Sequence, residues 1–221
     1  MENKDQLSRE EISELEDPYF DLQAKMGFTK HMGGLKATRE LIELCHTNKD
    51  KYVLDVGCGV GITACNIVKR YSCKVVGVDI SEEMIARSNE RAKRKGVEGR
   101  IEFQVADAQN LPFQDALFDV VISESATAFL EDKQSAINQY VRVTKPGGYI
   151  GLNETTWIKG MPPTEIVEYL FRTAGGVKPE TPSGWKELAS TQVSFRNLVS
   201  TGWSNISQDV STLFLRTRSQ L

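Results

Sequence analysis

Val53-Leu54-Asp55-Val56-Gly57-Cys58-Gly59-Val60-Gly61-Ile62-Thr63 is a short apolar run that ends in a Gly-x-Gly-x-Gly turn, after which a helical pattern begins. A strand that stops on such a turn brings bare backbone close to a ligand, because glycine has no Cβ and tolerates positive φ. Dinucleotide-binding folds use a related Gly-x-Gly-x-x-Gly turn, with the pyrophosphate on a helix N-terminus. Here the third glycine arrives one residue early, and Asp55 stands inside the approach. A carboxylate in that place repels a pyrophosphate and can hold a cationic group such as an ammonium. The turn therefore points away from nicotinamide dinucleotides and toward an amino-acid-bearing nucleoside.

Outward from this turn, helix and strand patterns alternate. Leu35–Cys45 reads as a helix, Tyr52–Val56 as a buried strand and Ile62–Tyr71 as a helix. A second strand, Lys74–Val78, stops at Asp79. Ser81 is an N-cap with Glu82 and Glu83 in the first turn, so a helix runs over Glu82–Lys95 and closes at Gly96. Ile101–Val105 and Leu117–Ser123 are further strands, Asp132–Val143 a helix, and Pro146-Gly147-Gly148 the turn into Tyr149–Asn153. Strands joined by helices of this length imply right-handed βαβ units and a parallel sheet covered on both faces. The tail is less regular. Prolines gather between Trp157 and Pro182, Thr164–Arg172 is a helix candidate, and another opens at Gly184. Beyond Thr191 only Leu213-Phe214-Leu215 has the character of a strand core.

The chain has 221 residues, enough for one sizeable core. Its formal net charge of -3 supplies no footprint for nucleic acid. No apolar run approaches the roughly 20 residues that span a bilayer, and the charged N-terminus lacks a secretory h-region. Cys45, Cys58, Cys65 and Cys73 form no CxxC pair, so a reduced, cytoplasmic chain is expected.

Acidic residues recur at strand ends, which places them along one rim, where ligands of open α/β sheets bind. Asp79 lies 22 positions after Gly57, where a carboxylate accepts hydrogen bonds from both ribose hydroxyls. It can equally favour the helix N-terminus behind it. Asp107 follows the third strand and can accept from an adenine amino group, or simply shape a turn. Asp55 can also bond backbone N–H groups of the loop, and Cys58 reads as a small residue packed within it.

These residues carry a family resemblance. Val53–Gly61 resembles the first motif of the class I S-adenosylmethionine-dependent methyltransferases, and Val76-Gly77-Val78-Asp79-Ile80-Ser81 their acidic second motif. Ala106–Phe113 with Phe118-Asp119-Val120-Val121 is similar to the small-molecule subgroup related to ubiquinone and menaquinone biosynthesis methyltransferases. Lys145-Pro146-Gly147-Gly148 matches the turn before their fifth strand. The resemblance covers about Leu35 to Asn153 and implies a Rossmann-like, doubly wound α/β fold. Its mostly parallel sheet is of the seven-stranded type, with helices on both faces. Residues 1–34 would be an N-terminal helical lid, 35–153 the cofactor-binding core, and 154–221 a variable substrate roof with the final strands.

The resemblance implies S-adenosyl-L-methionine as cofactor. Gly57, Gly59 and Gly61 would let the loop approach its methionine part, with Asp55 and Cys58 on the same wall. Asp79 would hold the ribose, Ile80 would pack on the adenine, and Ala106, Asp107 and Ala108 would frame the adenine edge. Ser123 would reach the sulfonium side with Glu124 beside it. His31 and Gly33 would belong to the lid, and no metal is implied. Two departures narrow the activity. Ser123-Glu124-Ser125-Ala126 stands where amino-directed DNA and protein-glutamine enzymes carry Asn-Pro-Pro-Tyr, and no Pro-Cys pair offers a cytosine-C5 nucleophile.

Methyl transfer from a sulfonium is an in-line displacement in which the protein chiefly aligns partners and excludes water. A phenol or acid acceptor also needs a base in reach, for which His31 and Glu124 are the candidates, with Tyr19 behind them. Tyr19, Phe20, Met26, Phe28, Trp157, Met161, Tyr169, Phe171 and Trp185 are expected to roof a hydrophobic small molecule. The expected partner is thus a small-molecule methyl acceptor, not nucleic acid or a membrane, and the chain a monomer or homodimer. Two other readings are a nicotinamide-dependent oxidoreductase and a non-catalytic cofactor-binding regulatory protein.

Overall fold

The structure is a computed structural model that describes residues 18–27, 31, 33–190, 194–201 and 209–216. Two helices, α1 (Pro18–Met26) and α2 (Gly34–Leu44), precede the first strand, β1 (Tyr52–Val56). Then come α3 (Ile62–Tyr71), β2 (Lys74–Asp79), α4 (Glu82–Lys95), β3 (Ile101–Val105) and β4 (Phe118–Glu124). The chain continues through α5 (Lys133–Val143), β5 (Thr144–Thr156), α6 (Thr164–Thr173) and α7 (Pro182–Ser190) to β6 (Ser194–Thr201) and β7 (Asp209–Arg216).

Strands β3, β2, β1, β4 and β5 lie side by side in that order and pair in parallel. Beyond β5, β7 pairs antiparallel with it and β6 antiparallel with β7. The weak pattern after Thr191 suggests little more than Leu213–Leu215. Pairing with β5 runs instead from Tyr149↔Arg216 to Thr156↔Asp209, because a backbone ladder needs no apolar alternation to form.

Successive strand residues serve opposite faces, as the pleat requires. Leu54, Val56, Val76, Val78 and Val121 join the core under α5 and α7, whereas Val53, Val75, Val120 and Ile122 join the core under α2, α3 and α4. The sheet is therefore covered on both sides, and its strand tips are left to form a rim. Local signals set the helix ends. The Met84 N–H donates to the Ser81 side chain at 3.3 Å, and Gly96 closes α4 with φ 64. Asp132 caps α5 by accepting the Ser135 N–H at 2.9 Å.

Part of the expected aromatic roof is core instead. Trp185 is buried and donates its Nε1–H to Thr156 Oγ1 at 3.1 Å, pinning α7 beneath β5. Trp157 is also buried, while Met161, Tyr169 and Phe171 are exposed on or beside α6. Phe28 lies outside the described residues.

Candidate functional site

The tips of β1, β2, β3 and β4 surround a cavity of about 520 Å³, within the size range of small-molecule sites. Its floor is the turn after β1. Gly57 and Cys58 both donate their N–H groups to Val78 O, at 2.8 and 2.9 Å, which ties the turn to β2. Gly59 N–H donates to Asp79 Oδ2 at 2.8 Å, and Ser81 N–H to Asp79 Oδ1 at 3.1 Å. Asp79 thus links turn and helix, yet each carboxylate oxygen can accept a further hydrogen bond. Burial pushes its carboxyl above the usual range, and the Ser81 and Gly59 N–H groups pull it partly back.

Gly57 shows why the motif needs glycine. Its φ is 70, and a Cβ there would stand 2.2 Å from the Ala126 Cβ. Ala126 comes that close because Ser125 takes left-handed backbone, φ 53, immediately after β4. Such a conformation costs a non-glycine residue on the order of 1 kcal/mol or more, and strain of this kind is typical of functional turns.

Asp55 is 2% exposed, and its Oδ2 has no hydrogen-bond partner among the described residues. The Ala64 N–H reaches the same carboxyl, but burial, with Glu124 and Asp79 nearby, holds its pKa well above the carboxylate range. An orphaned buried carboxyl oxygen on a cavity wall fits a cationic ligand group, because buried charge must be paired.

Glu124, at the tip of β4, faces the same cavity. It accepts from Thr38 Oγ1 (3.1 Å), Thr63 Oγ1 (3.0 Å) and Asn153 Nδ2 (3.1 Å), drawing α2, α3 and β5 together. His31 Nδ1 lies 3.6 Å from Glu124 Oε1, and His31 Nε2 lies 3.2 Å from Thr38 Oγ1. His31, Asp55, Gly57, Cys58, Gly59, Asp79, Ile80, Ala106, Asp107, Ala108 and Glu124 all line the cavity. Asp107 also shapes its own turn, accepting the Gln109 N–H at 2.8 Å. Ile80 is 73% exposed, an apolar side chain left open on the rim.

Three expected residues stand off the cavity wall. Ser123 is fully buried and turned to the opposite sheet face, with its Oγ 3.0 Å from Thr127 Oγ1 and 3.4 Å from Glu154 Oε1. Gly61 starts α3 with φ 73, where a Cβ would crowd Phe103 and Ser88. Gly33 starts α2 with φ 74, its absent Cβ making room for Ala37. These positions shape the walls rather than form them.

The structure adds residues that the sequence did not single out. Thr38, Thr63 and Asn153 hold Glu124, and no spacing rule links them to it. Glu154 accepts the Ala126, Thr127 and Ala128 N–H groups at 3.3, 2.9 and 3.2 Å, which seats the 3-10 turn Thr127–Phe129. Burial raises its pKa to about 7 against those N–H groups. Phe129 then completes an aromatic trio, with Phe20 edge-on at 5.0 Å and Tyr19 at 6.1 Å. From the tail, the cavity is lined by Thr155, Leu170, Ala174 and Val177. Among the described residues no helix is long and apolar enough to cross a membrane.

Known proteins share this fold. A family model described as a methyltransferase domain matches residues 54–152. An uncharacterized protein of Haemophilus influenzae is 36% identical over 179 residues, which cover 79% of this chain and 70% of that protein. Ajmaline N-methyltransferase of Rauvolfia serpentina is 34% identical over 156 residues, 66% of this chain and 51% of that enzyme, so the match spans about half of its length. In fold, the chain superposes on geranyl diphosphate C-methyltransferase from Streptomyces coelicolor A3(2), solved with Mg2+, a geranyl thiolodiphosphate and S-adenosyl-L-homocysteine. The TM-score is 0.74 at 14% identity, over 82% of this chain and 75% of the other. The domain match runs from β1 into β5, so the chain carries a methyltransferase domain, and it is a relative of the Haemophilus influenzae protein over most of that protein's length.

Proposed function

We propose that the chain transfers a methyl group from S-adenosylmethionine to a small molecule by in-line displacement. The observation that carries this reading is Asp55: a buried carboxyl with an orphaned oxygen, on a wall of bare backbone. When bound, the cofactor supplies a methyl group made electrophilic by its sulfonium. The protein's contribution is to hold, orient and keep dry. Asp55 balances the positive charge, and the Gly57-Cys58-Gly59 backbone lies along the methionine part. Asp79 keeps acceptor capacity for ribose hydroxyls, while Ile80, Ala106, Asp107 and Ala108 frame the adenine.

His31 and Glu124 form the proton-handling pair on this reading. Glu124 is fixed by three neighbours and can orient a neutral His31, which takes the acceptor's proton, and stabilise the imidazolium that results. Residues 1–34 act as lid, 35–153 as cofactor core and 154–221 as roof with the last strands of a seven-stranded sheet. Support for that division comes from the cavity wall, to which both flanking segments contribute, through Tyr19 and Phe20 and through Leu170 and Val177. The four cysteines are free and buried, which suits a reducing compartment such as the cytoplasm.

Titration calorimetry with S-adenosylhomocysteine, followed by its release in the presence of small-molecule acceptors, tests the proposal. Heat without release from any acceptor would favour the non-catalytic reading. No heat with either cofactor form would end both. The oxidoreductase reading requires a pyrophosphate beside Asp55, Asp79 and Glu124, where like charge opposes it.

A further inference from the structure

We infer that the methyl acceptor is an amine carried on an apolar, ring-bearing body, and that phosphorylated or carboxylated acceptors are refused. The inference rests on the proposed function and names the substrate class for that site.

The charge of the cavity wall is one-sided. Asp21, Asp55, Asp79, Asp107 and Glu124 line it, and among the described residues no lysine or arginine does. His31 is the one lining side chain there that can become cationic. S-adenosylmethionine, with a sulfonium, an ammonium and a carboxylate, carries a single net positive charge, so docking it against Asp55 leaves the wall's other carboxyls facing no lysine or arginine among the described lining residues. Asp55 lies within the same crowd: burial first, then Glu124 and Asp79, raise its pKa, and its buried Oδ2 has no partner among the described residues, so it ionises when a cation is set against it. An anionic acceptor entering beside these groups meets carboxyls and no lysine or arginine among the described lining residues. An ammonium is drawn in, and a cleft of low dielectric focuses that attraction.

The apolar half of the cavity completes the description. Tyr19 and Phe20 meet edge-on at 5.0 Å, and Phe20 and Phe129 meet likewise at 5.0 Å. This trio comes from α1 and from the turn after β4, so it lies beside the carboxylates. Rings in that place take a flat apolar body and also favour a nearby cation over their faces. The bound ammonium must first lose one proton, to His31 or to water. Its freed lone pair then forms the N–C bond as the methyl carbon leaves sulfur, and the electrons of the broken C–S bond remain on sulfur.

The test uses the full chain loaded with S-adenosylhomocysteine and probes of matched size: phenethylamine, 2-phenylethanol and 3-phenylpropionate. Affinities are read by ligand-observed NMR at low ionic strength, then with added salt. Phenethylamine is expected to bind at least about tenfold more tightly than 3-phenylpropionate, with 2-phenylethanol between them. Added salt should narrow the ratio, and Asp21→Asn should narrow it at constant salt. Equal or reversed affinities, or no binding of any probe at millimolar concentration, overturn the inference. Failure of S-adenosylhomocysteine itself to bind would strike at the proposed function instead, and it is read separately before any probe is added.

Discussion

Asp79 Oδ2 accepts the Gly59 N–H at 2.8 Å, so the carboxyl at the tip of β2 fastens the turn that follows β1. The residue that sequence reasoning assigns to a ribose is thus also a structural clasp. Asp79→Ala leaves the Gly59 and Ser81 N–H groups without their acceptor. It should lower stability by roughly 1–3 kcal/mol and abolish cofactor binding. Asp79→Asn keeps one acceptor oxygen and should fall between. Chemical unfolding paired with calorimetry checks both effects. An Asp79→Ala protein as stable as the parent would show that the clasp contributes nothing.

Gly57 and Ala126 share one space. Gly57→Ala adds a Cβ 2.2 Å from the Ala126 Cβ at a residue with φ 70. We expect a loss of about 2 kcal/mol or more from overpacking and strain together. Ala126→Gly in the same chain removes the clash and leaves only the strain, so the double variant should recover part of the stability. A double variant no better than Gly57→Ala would place the cost elsewhere.

Cofactor binding should release protons. Asp55 is held well above the usual carboxylate pKa by burial, and by Glu124 and Asp79. A cation placed against it lowers that pKa, so the bound state carries fewer protons than the free state. Binding heats measured in buffers of different ionisation enthalpy should therefore differ, with the sign of net release. In Asp55→Asn the release should shrink.

Glu154 makes stability depend on pH. Its folded-state pKa is raised from 4.5 to about 7, so between these values the native state binds more protons than the unfolded chain. The stabilising contribution is complete below the unfolded value and is lost as pH rises through the folded one. The change amounts to about 3 kcal/mol. Glu154→Gln should flatten the unfolding free energy between pH 4.5 and 7 relative to the parent chain. An unchanged slope would show that Glu154 ionises like an exposed carboxyl.

Much of the core was legible because its signals are local. The β1 run, the Gly-x-Gly-x-Gly turn, the Ser81 cap and the Gly96 stop each lie within a few residues, and each element they imply is present. Ser123 shows where local reading fails. It pairs with Val56 while Ile122 pairs with Asp55, so Ser123 shares the face of Val121, opposite to Asp55. Strand parity then sends Glu124, not Ser123, toward the cavity. The boundary of β4, set one residue short in the sequence reading, was enough to blur that choice. Trp157 and Trp185 misled for a related reason: an aromatic side chain suits a roof or a core equally well, and only packing separates them.

Sequence alone determined the alternation of strands and helices, the bare turn at Gly57, and the placing of carboxylates at strand tips. These follow from periodicity, caps and glycine, which act over one or two turns of chain. Tertiary structure alone decided which carboxylates are satisfied. Glu154 meets three N–H groups from the turn after β4, Glu124 is gathered in by Thr38, Thr63 and Asn153, and Asp55 keeps one buried oxygen without a partner among the described residues. The partners come from elements far apart in the chain, so the charge left over for a ligand exists only once the sheet and its helices have closed around it.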